Sequence, residues 1–265
     1  MVTQRVHLIR HGETEWSLSG QHTGTTDIPL TDNGRRLAER LRPVLAKETF
    51  TLVLVSPLQR ARETSALAGL GDAAVVERDL MEWNYGEYEG LTPKQVHETR
   101  AGWLIFRDGC PGGESPEQVG ARVDRVIARA RAAEGDVALF AHGHVLRALV
   151  ARWIGLPASG GQHFLLDTGT LCILGYYRDV PAVKVWNGAV SRLASLWLPY
   201  SQGERRRPWV RLRDVINRRL RSWRAEERRR RREGRAHPRR PTFSISTAAV
   251  RSSSPEAAMR FTSAI

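Results

Sequence analysis

Short apolar runs alternate with longer helix-period stretches through the first two thirds of this chain, and that alternation most constrains its fold. Five runs have the length of strands, at residues 6–9, 52–55, 75–76, 137–140 and 171–176. Apolar residues in the intervening stretches recur at helical spacing. Such alternation is typical of an α/β fold with a mostly parallel sheet. The sequence therefore predicts a three-layer α/β/α domain.

Three helices are predicted most clearly, at residues 31–46, 115–133 and 145–154. Thr31 and Ser115 stand where the first two begin, and a hydroxyl there can cap the exposed backbone N–H groups. The third follows the fourth apolar run after one tight turn. Each stretch carries its apolar residues on one face, so we expect these helices to cover the sheet.

The net charge of +13 is concentrated at one end of the chain. Residues 188–265 contain 20 Arg and 6 acidic residues, whereas residues 1–187 contain 21 basic and 22 acidic residues and are nearly neutral. We therefore predict a folded domain over 1–187 and an Arg-rich extension over 188–265. Apolar residues at helical spacing over 208–232 predict one basic amphipathic helix in this extension, with disorder in the remainder.

Three interpretations of the extension remain open. Its basic helix suits an anionic membrane surface, and its Arg runs suit nucleic acid. The third interpretation is an extension that has no selected function. The near-neutral domain adds no support for nucleic-acid binding. Oligomeric state is left open.

The two cysteines, Cys110 and Cys172, are far apart and have no metal-finger spacing. Neither a disulfide framework nor a structural zinc site is therefore expected. The chain has no signal-peptide pattern and no run of about 18 apolar residues. These features favour a cytoplasmic location, and no metal or organic cofactor is expected.

Basic and imidazole side chains follow three of the predicted strands. The first strand leads into Arg10-His11-Gly12, the second leads through Ser56-Pro57 to Arg60, and the fourth leads into His142-Gly143. Ligands of parallel sheets bind beyond the carboxyl ends of the strands, so these side chains should meet in one crevice. Two Arg and two His side chains without a Gly-rich nucleotide loop predict a pocket for a phosphoryl group.

Phosphoryl transfer needs guanidinium groups on the phosphate oxygens, a nucleophile in line and an acid for the leaving oxygen. Arg10 and Arg60 can bind the oxygens. His11 can attack phosphorus if a backbone carbonyl fixes its tautomer, and Gly12 permits the tight turn this needs. We expect His142 to become protonated beside the bound dianion and to stabilise its charge.

The segment from Leu8 to Trp16, LIRHGETEW, resembles the RHG signature of the histidine phosphatase superfamily, the phosphoglycerate-mutase-like group. Four further segments match in order, within residues 20–31, 56–64, 82–92 and 140–147, so the resemblance covers residues 4–187. It implies a phosphohistidine intermediate on His11. It also implies a phosphate pocket completed by Arg10, Arg60 and His142.

Five more residues are assigned roles. Glu82 is implied by the resemblance to protonate the leaving group and then to act as base for the hydrolytic water. Thr23 and Gly24 match positions that contact substrate in relatives, and Gly143, next to His142, is also predicted to bind phosphate. Ser17 stands where many relatives have Asn, so we expect it to make that phosphate contact with a shorter side chain.

The residues after Glu82 help to distinguish a phosphatase from a phosphoglycerate mutase. They read Trp83-Asn84-Tyr85-Gly86, where phosphoglycerate mutases have Arg-His-Tyr-Gly. Together with residues 103–115 they most resemble the branch that holds sedoheptulose-bisphosphatase-like and acid phosphatase members. This resemblance favours hydrolysis of a small phosphorylated metabolite, with sugar phosphates and bisphosphates as candidates. A phosphoglycerate-type mutase and a non-catalytic phosphate-binding module are the alternatives, and a proton donor at Glu82 argues against the latter.

Three further predictions concern the rim of the pocket. Arg107 is a candidate for binding a second anionic group, with a surface ion pair as the alternative. His163 and the turn at residues 168–170 are expected to face substrate. His142 and His144 have a spacing compatible with a zinc site, but the sequence shows no third ligand nearby.

Overall fold

The structure is a computed structural model that describes residues 3–189. The amphipathic helix predicted over 208–232 and the predicted disorder beyond it lie outside the described residues. The domain boundary predicted at residue 187 stays a prediction for the same reason. Among residues 3–189, no helix has the length and apolar character needed to cross a membrane.

One six-stranded mixed sheet forms the centre of the domain. Its strands are β1 (Val6–Arg10), β2 (Phe50–Val55), β3 (Ala74–Val76), β4 (Asp136–Ala141), β5 (Leu171–Tyr177) and β6 (Val180–Gly188), in the spatial order β3-β2-β4-β1-β5-β6. Strands β1 to β4 are mutually parallel. At one side of the sheet, β5 pairs antiparallel with β1, and β6 pairs antiparallel with β5. The predicted parallel arrangement therefore holds for β1 to β4 alone.

The predicted helices form with bounds within two residues of those expected. The described residues contain α1 (Glu15–Ser19), α2 (Asp32–Leu45), α3 (Gln59–Leu67), α4 (Pro93–Thr99), α5 (Ile105–Asp108), α6 (Pro116–Arg131) and α7 (Gly143–Trp153). Thr31 caps α2 by accepting the Gly34 N–H, and Ser115 caps α6 in a capping box with Gln118. Both predicted caps are confirmed.

Apolar side chains cover both faces of the sheet. Leu8 belongs to the cluster that includes residues of α6 and α7, whereas its neighbour Ile9 belongs to the cluster that includes residues of α2 and α3. Because successive side chains of a strand point to opposite faces, β1 is buried on both sides. Burial raises the pKa of both free thiols, Cys110 and Cys172, to about 12.

Strand pairing brings the ends of β1 and β4 together. Arg10 is in register with Ala141, and the His11 N–H donates to the Ala141 carbonyl at 3.0 Å. The residues that follow these two strands, His11 and His142, are therefore neighbours, with ring centroids 5.1 Å apart.

Candidate active site

A cleft of about 220 Å³ opens at the carboxyl ends of the parallel strands. Six of the nine predicted site residues line it: Arg10, His11, Ser17, Thr23, Glu82 and Gly143. Its volume lies below the usual range for drug-sized ligand pockets, as expected for a site that binds a compact group.

His11 is held in a single orientation by the backbone. Its Nδ1 lies 2.7 Å from the carbonyl oxygen of Gly12, so Nδ1 carries the hydrogen and donates it. Nε2 is then left with its lone pair. Burial, with the positive charges of Arg60 and Arg10, holds the pKa of His11 well below its usual range. The ring is therefore neutral at physiological pH and available as a nucleophile.

The Arg10 guanidinium lies against the N-terminus of α7. One Nη donates to the Leu166 carbonyl, and Nε is buried without a hydrogen-bond partner among residues 3–189. A Cβ on Gly143 would lie 3.3 Å from the Arg10 Cζ, so glycine at this position leaves room for the guanidinium. An unpartnered buried donor beside a cleft suits an anionic ligand.

His142 and Arg60 lie behind His11, and both are fully buried. The Arg60 Nε–H donates to His142 Nδ1 at 3.1 Å, and His142 Nε2 lies 2.7 Å from the Ser56 hydroxyl. Other Arg60 donors go to the backbone carbonyls of Thr23, Gly24 and Thr26. Because Nδ1 accepts a hydrogen from Arg60, His142 is a neutral imidazole in this arrangement, and its protonation beside a bound dianion stays a prediction. Burial and the nearby Arg60 and His11 also lower the pKa of His142 far below its usual value.

The Glu82 carboxylate is anchored at the first turn of α7. One oxygen accepts the backbone N–H groups of Val145 and Trp83, and the other accepts that of His144, each at 2.9 Å. Glu82 is 6% exposed and lines the cleft with His11. The only carboxylate among the cleft-lining residues therefore has a fixed position.

Three predicted phosphate contacts have other partners in this structure. The Ser17 hydroxyl donates to the Thr14 carbonyl at 2.8 Å and accepts the Thr14 N–H, completing the cap of α1. The Gly24 N–H donates to Glu89, and a Cβ at Gly24 would lie 2.6 Å from the Trp83 carbonyl oxygen. Thr23 lines the cleft, but its hydroxyl donates to the Gln21 carbonyl.

Several cleft residues were given no phosphate or substrate role from the sequence. Among them are Trp16, His22, Tyr85, His144 and Arg147. The Tyr85 hydroxyl lies 2.6 Å from His144 Nδ1, and His22 stacks on the Tyr85 ring at 4.6 Å. Burial lowers the pKa of His22 to about 4 and raises that of Tyr85 well above 10. These five residues therefore give the cleft a wall that is aromatic and polar, with Arg147 as its charged member.

The rim predictions have different outcomes. Arg107 makes the alternative surface ion pair, with Asp108 at 2.8 Å. His163 is exposed and does not line the cleft, and in the turn at 168–170 the Gly169 N–H donates to the His11 carbonyl. This turn therefore supports the backbone of His11. Within residues 3–189, no cluster of three or more metal-ligand side chains surrounds His142 and His144.

Residues 6–189 match the model of the histidine phosphatase superfamily, branch 1. The chain is 41% identical to an acid phosphatase of Mycobacterium tuberculosis over 68% of this chain and 91% of that protein. It is also 41% identical to sedoheptulose 1,7-bisphosphatase of Saccharomyces cerevisiae, over 58% of this chain and 69% of that protein.

A solved structure of an open reading frame from Mycobacterium tuberculosis has the same fold. It is 40% identical, superposes with a TM-score of 0.68, and covers 71% of this chain and 99% of its own. The family-model match over residues 6–189 spans all six strands and every residue assigned to the cleft. The chain therefore belongs to the histidine phosphatase superfamily, branch 1.

Proposed function

We propose that this phosphatase hydrolyses a small phosphomonoester through a phosphohistidine on His11, with Glu82 as proton donor. The hydrogen bond from His11 Nδ1 to the Gly12 carbonyl carries the proposal, because it leaves Nε2 as the only nitrogen that can attack. Arg10, with its unpartnered Nε, supports binding of the phosphate oxygens.

In the first step, Nε2 of His11 forms a bond to phosphorus and the bond from phosphorus to the ester oxygen breaks. Glu82 gives its proton to that oxygen, and an alcohol leaves. In the second step, water attacks phosphorus, Glu82 takes the proton of the water, and the phosphorus–nitrogen bond breaks. The products are an alcohol and inorganic phosphate, and His11 is regenerated.

Arg60 and His142 contribute from behind His11. Arg60 places a full positive charge next to the phosphoryl position, and a bound dianion raises the proton affinity of His142. For His142 to donate from Nδ1, Arg60 must release that nitrogen and turn a donor toward the phosphate. In this proposal Ser17 and Thr23 bind further oxygens after their hydroxyls turn away from the Thr14 and Gln21 carbonyls. Gly143 binds another oxygen, and Gly24 allows the close backbone packing beside the site.

A phosphorylated sugar is the substrate class that this site supports. The wall formed by Trp16, His22, Tyr85 and His144 offers aromatic faces and neutral donors and acceptors, which suit hydroxyl groups. The similarity to a sedoheptulose 1,7-bisphosphatase supports the same class.

Phosphate release from a panel of sugar phosphates, phosphoglycerates and nucleotides, with a chelator present, tests the proposal. We expect wild-type protein to release phosphate and His11→Ala to be slower by more than about a thousandfold. Alkaline quenching during turnover should trap a phosphoryl group on His11, measured by mass spectrometry of the peptide.

His163→Ala is the matched control, since His163 is an exposed histidine outside the cleft. It should retain wild-type turnover. Unchanged release by His11→Ala, or a phosphoryl group trapped on another residue, would refute the proposed nucleophile.

A further inference from the structure

A buried arginine outside the cleft holds the segment that carries Glu82. Arg122 lies on α6, is 8% exposed and has all five of its N–H donors engaged. The acceptors are the backbone carbonyls of Asp79 and Met81, both at 2.7 Å, the carbonyl of Glu82 at 3.2 Å, and the two carboxylate oxygens of Glu114 at 2.8 and 3.0 Å.

Glu114 extends this contact to the residues after Glu82. Its carboxylate accepts the Asn84 N–H at 2.8 Å, and its carbonyl accepts the Trp83 indole N–H at 2.9 Å. Arg122 and Glu114 therefore form hydrogen bonds to residues on both sides of Glu82.

Glu82 is thus held from two helices. Its carboxylate is bound by the first turn of α7, and its backbone is bound by Arg122 of α6. A proton donor must lie within hydrogen-bond reach of the leaving oxygen, and a misplacement of about 1 Å can cost on the order of a hundredfold in rate.

We propose that Arg122, paired with Glu114, is a positioning residue that sets the place of the Glu82 carboxyl group relative to the leaving oxygen. The inference rests on the proposed role of Glu82 as proton donor. Arg122 itself touches neither the substrate nor the reacting atoms.

The fork geometry of arginine is required for this function. Lysine keeps the charge but has three donors on one nitrogen, so it cannot bind three carbonyls and two carboxylate oxygens at once. Arg122→Lys should therefore loosen the segment without removing the buried positive charge.

Leaving-group dependence distinguishes positioning from general structural support. A series of phosphomonoesters is compared by kcat/KM, from alkyl phosphates, which need a proton donor, to dinitrophenyl phosphate, which does not. Glu82→Gln is the reference and should lose activity only toward poor leaving groups. For Arg122→Lys we expect a loss of about 10- to 100-fold with alkyl phosphates and little loss with dinitrophenyl phosphate.

Arg125→Lys is the matched control. Arg125 lies one turn along the same helix and makes a surface ion pair with the Asp79 carboxylate at 2.7 Å. Arg125→Lys should keep the wild-type dependence of kcat/KM on the leaving group. Glu114→Gln removes the charged partner of Arg122 and should reproduce the Arg122→Lys pattern, so it carries the test if Arg122→Lys does not fold.

The outcomes separate the two proposals. If Glu82→Gln shows no leaving-group dependence, Glu82 is not the donor and the inference about Arg122 falls with it. If Glu82→Gln shows the dependence, and a folded Arg122→Lys or Glu114→Gln loses activity equally with all substrates or loses none, the positioning inference alone is overturned.

Discussion

Two histidines near the same strand, His7 and His11, are both buried but differ in their hydrogen bonding. His11 has a carbonyl partner that fixes its tautomer. His7, four residues earlier, is fully buried against the edge of Phe50, and neither ring nitrogen has a good hydrogen bond among residues 3–189. Burial and the charge of Arg5 lower the pKa of His7 to about 4.

His7 should make stability depend on pH. The unfolded chain takes up a proton at His7 near pH 6.5, whereas the folded chain keeps His7 neutral down to about pH 4. The free energy of unfolding therefore falls as pH drops through this range, with a share of about 3 kcal/mol from His7. His7→Leu should make this dependence shallower by that share, while the other buried histidines keep theirs. Because the change removes buried nitrogens that lack a good hydrogen bond, the variant should also unfold at higher denaturant concentration at pH 7.

Chemical unfolding at several pH values between 4 and 7.5 measures both effects. His163→Gln, a change at an exposed histidine, should leave the wild-type pH dependence intact. An equally steep dependence in His7→Leu would show that other groups are responsible.

At the scale of elements, the loop after β1 is fixed by the start of α2. A Cβ on Gly12 would lie 2.3 Å from the Gly34 carbonyl oxygen, and a Cβ on Gly34 would lie 2.2 Å from that of Glu13. The Thr31 N–H also donates to the Glu13 carbonyl at 2.9 Å. The backbone beside His11 is therefore packed directly on backbone, with no side chain between.

Gly34→Ala should disrupt this contact. Although alanine favours a helix by about 1 kcal/mol over glycine, the overlap with Glu13 should produce a net loss of about 2 kcal/mol in the free energy of unfolding. Gly34→Ala should also lower kcat/KM, because the loop that contains His11 must shift to relieve the overlap. Unfolding and kinetics are measured on the same preparations.

Gly120→Ala is the control for helical glycines, because its Cβ would lie 3.3 Å from the Ala158 Cβ, a contact that small adjustments relieve. It should stay within about 1 kcal/mol of wild type. Equal stability of Gly34→Ala and Gly120→Ala would argue against the backbone contact as a constraint.

At the scale of the whole molecule, a nearly neutral phosphatase domain is joined to a strongly basic segment. Residues 190–265 contain 20 Arg and 6 acidic residues. A charge of this density binds polyanions with an affinity that falls as salt rises. The proposed mechanism assigns no step to residues 190–265.

A chain that ends after residue 189 should keep the kcat/KM of the full chain and elute from heparin at much lower salt. Duplex DNA and anionic vesicles, offered separately to the full chain, then distinguish a nucleic-acid partner from a membrane. Unchanged heparin retention after truncation would refute anion binding by residues 190–265.

Particular site residues show how far sequence reasoning reaches. His11, Arg10 and Glu82 were predictable because each belongs to a short motif whose chemistry is local. Arg122 and Glu114 were not, since the groups they bind around Glu82 lie 30 to 43 residues away and no spacing pattern marks them. Strand β6 was also missed, because its residues are mostly half-buried and lack an uninterrupted apolar run.

The sequence by itself determined the layered α/β domain, the positions of helices α2, α6 and α7, and the family of its site, because periodicity, capping and motif residues act over a few neighbours. Only the tertiary structure decided which donors are free. Arg10 keeps an open donor, whereas Arg60 donates to backbone carbonyls and to His142, and Ser17 completes a helix cap. Hydrogen-bond partners depend on which distant segments the fold brings together, and no local pattern records that.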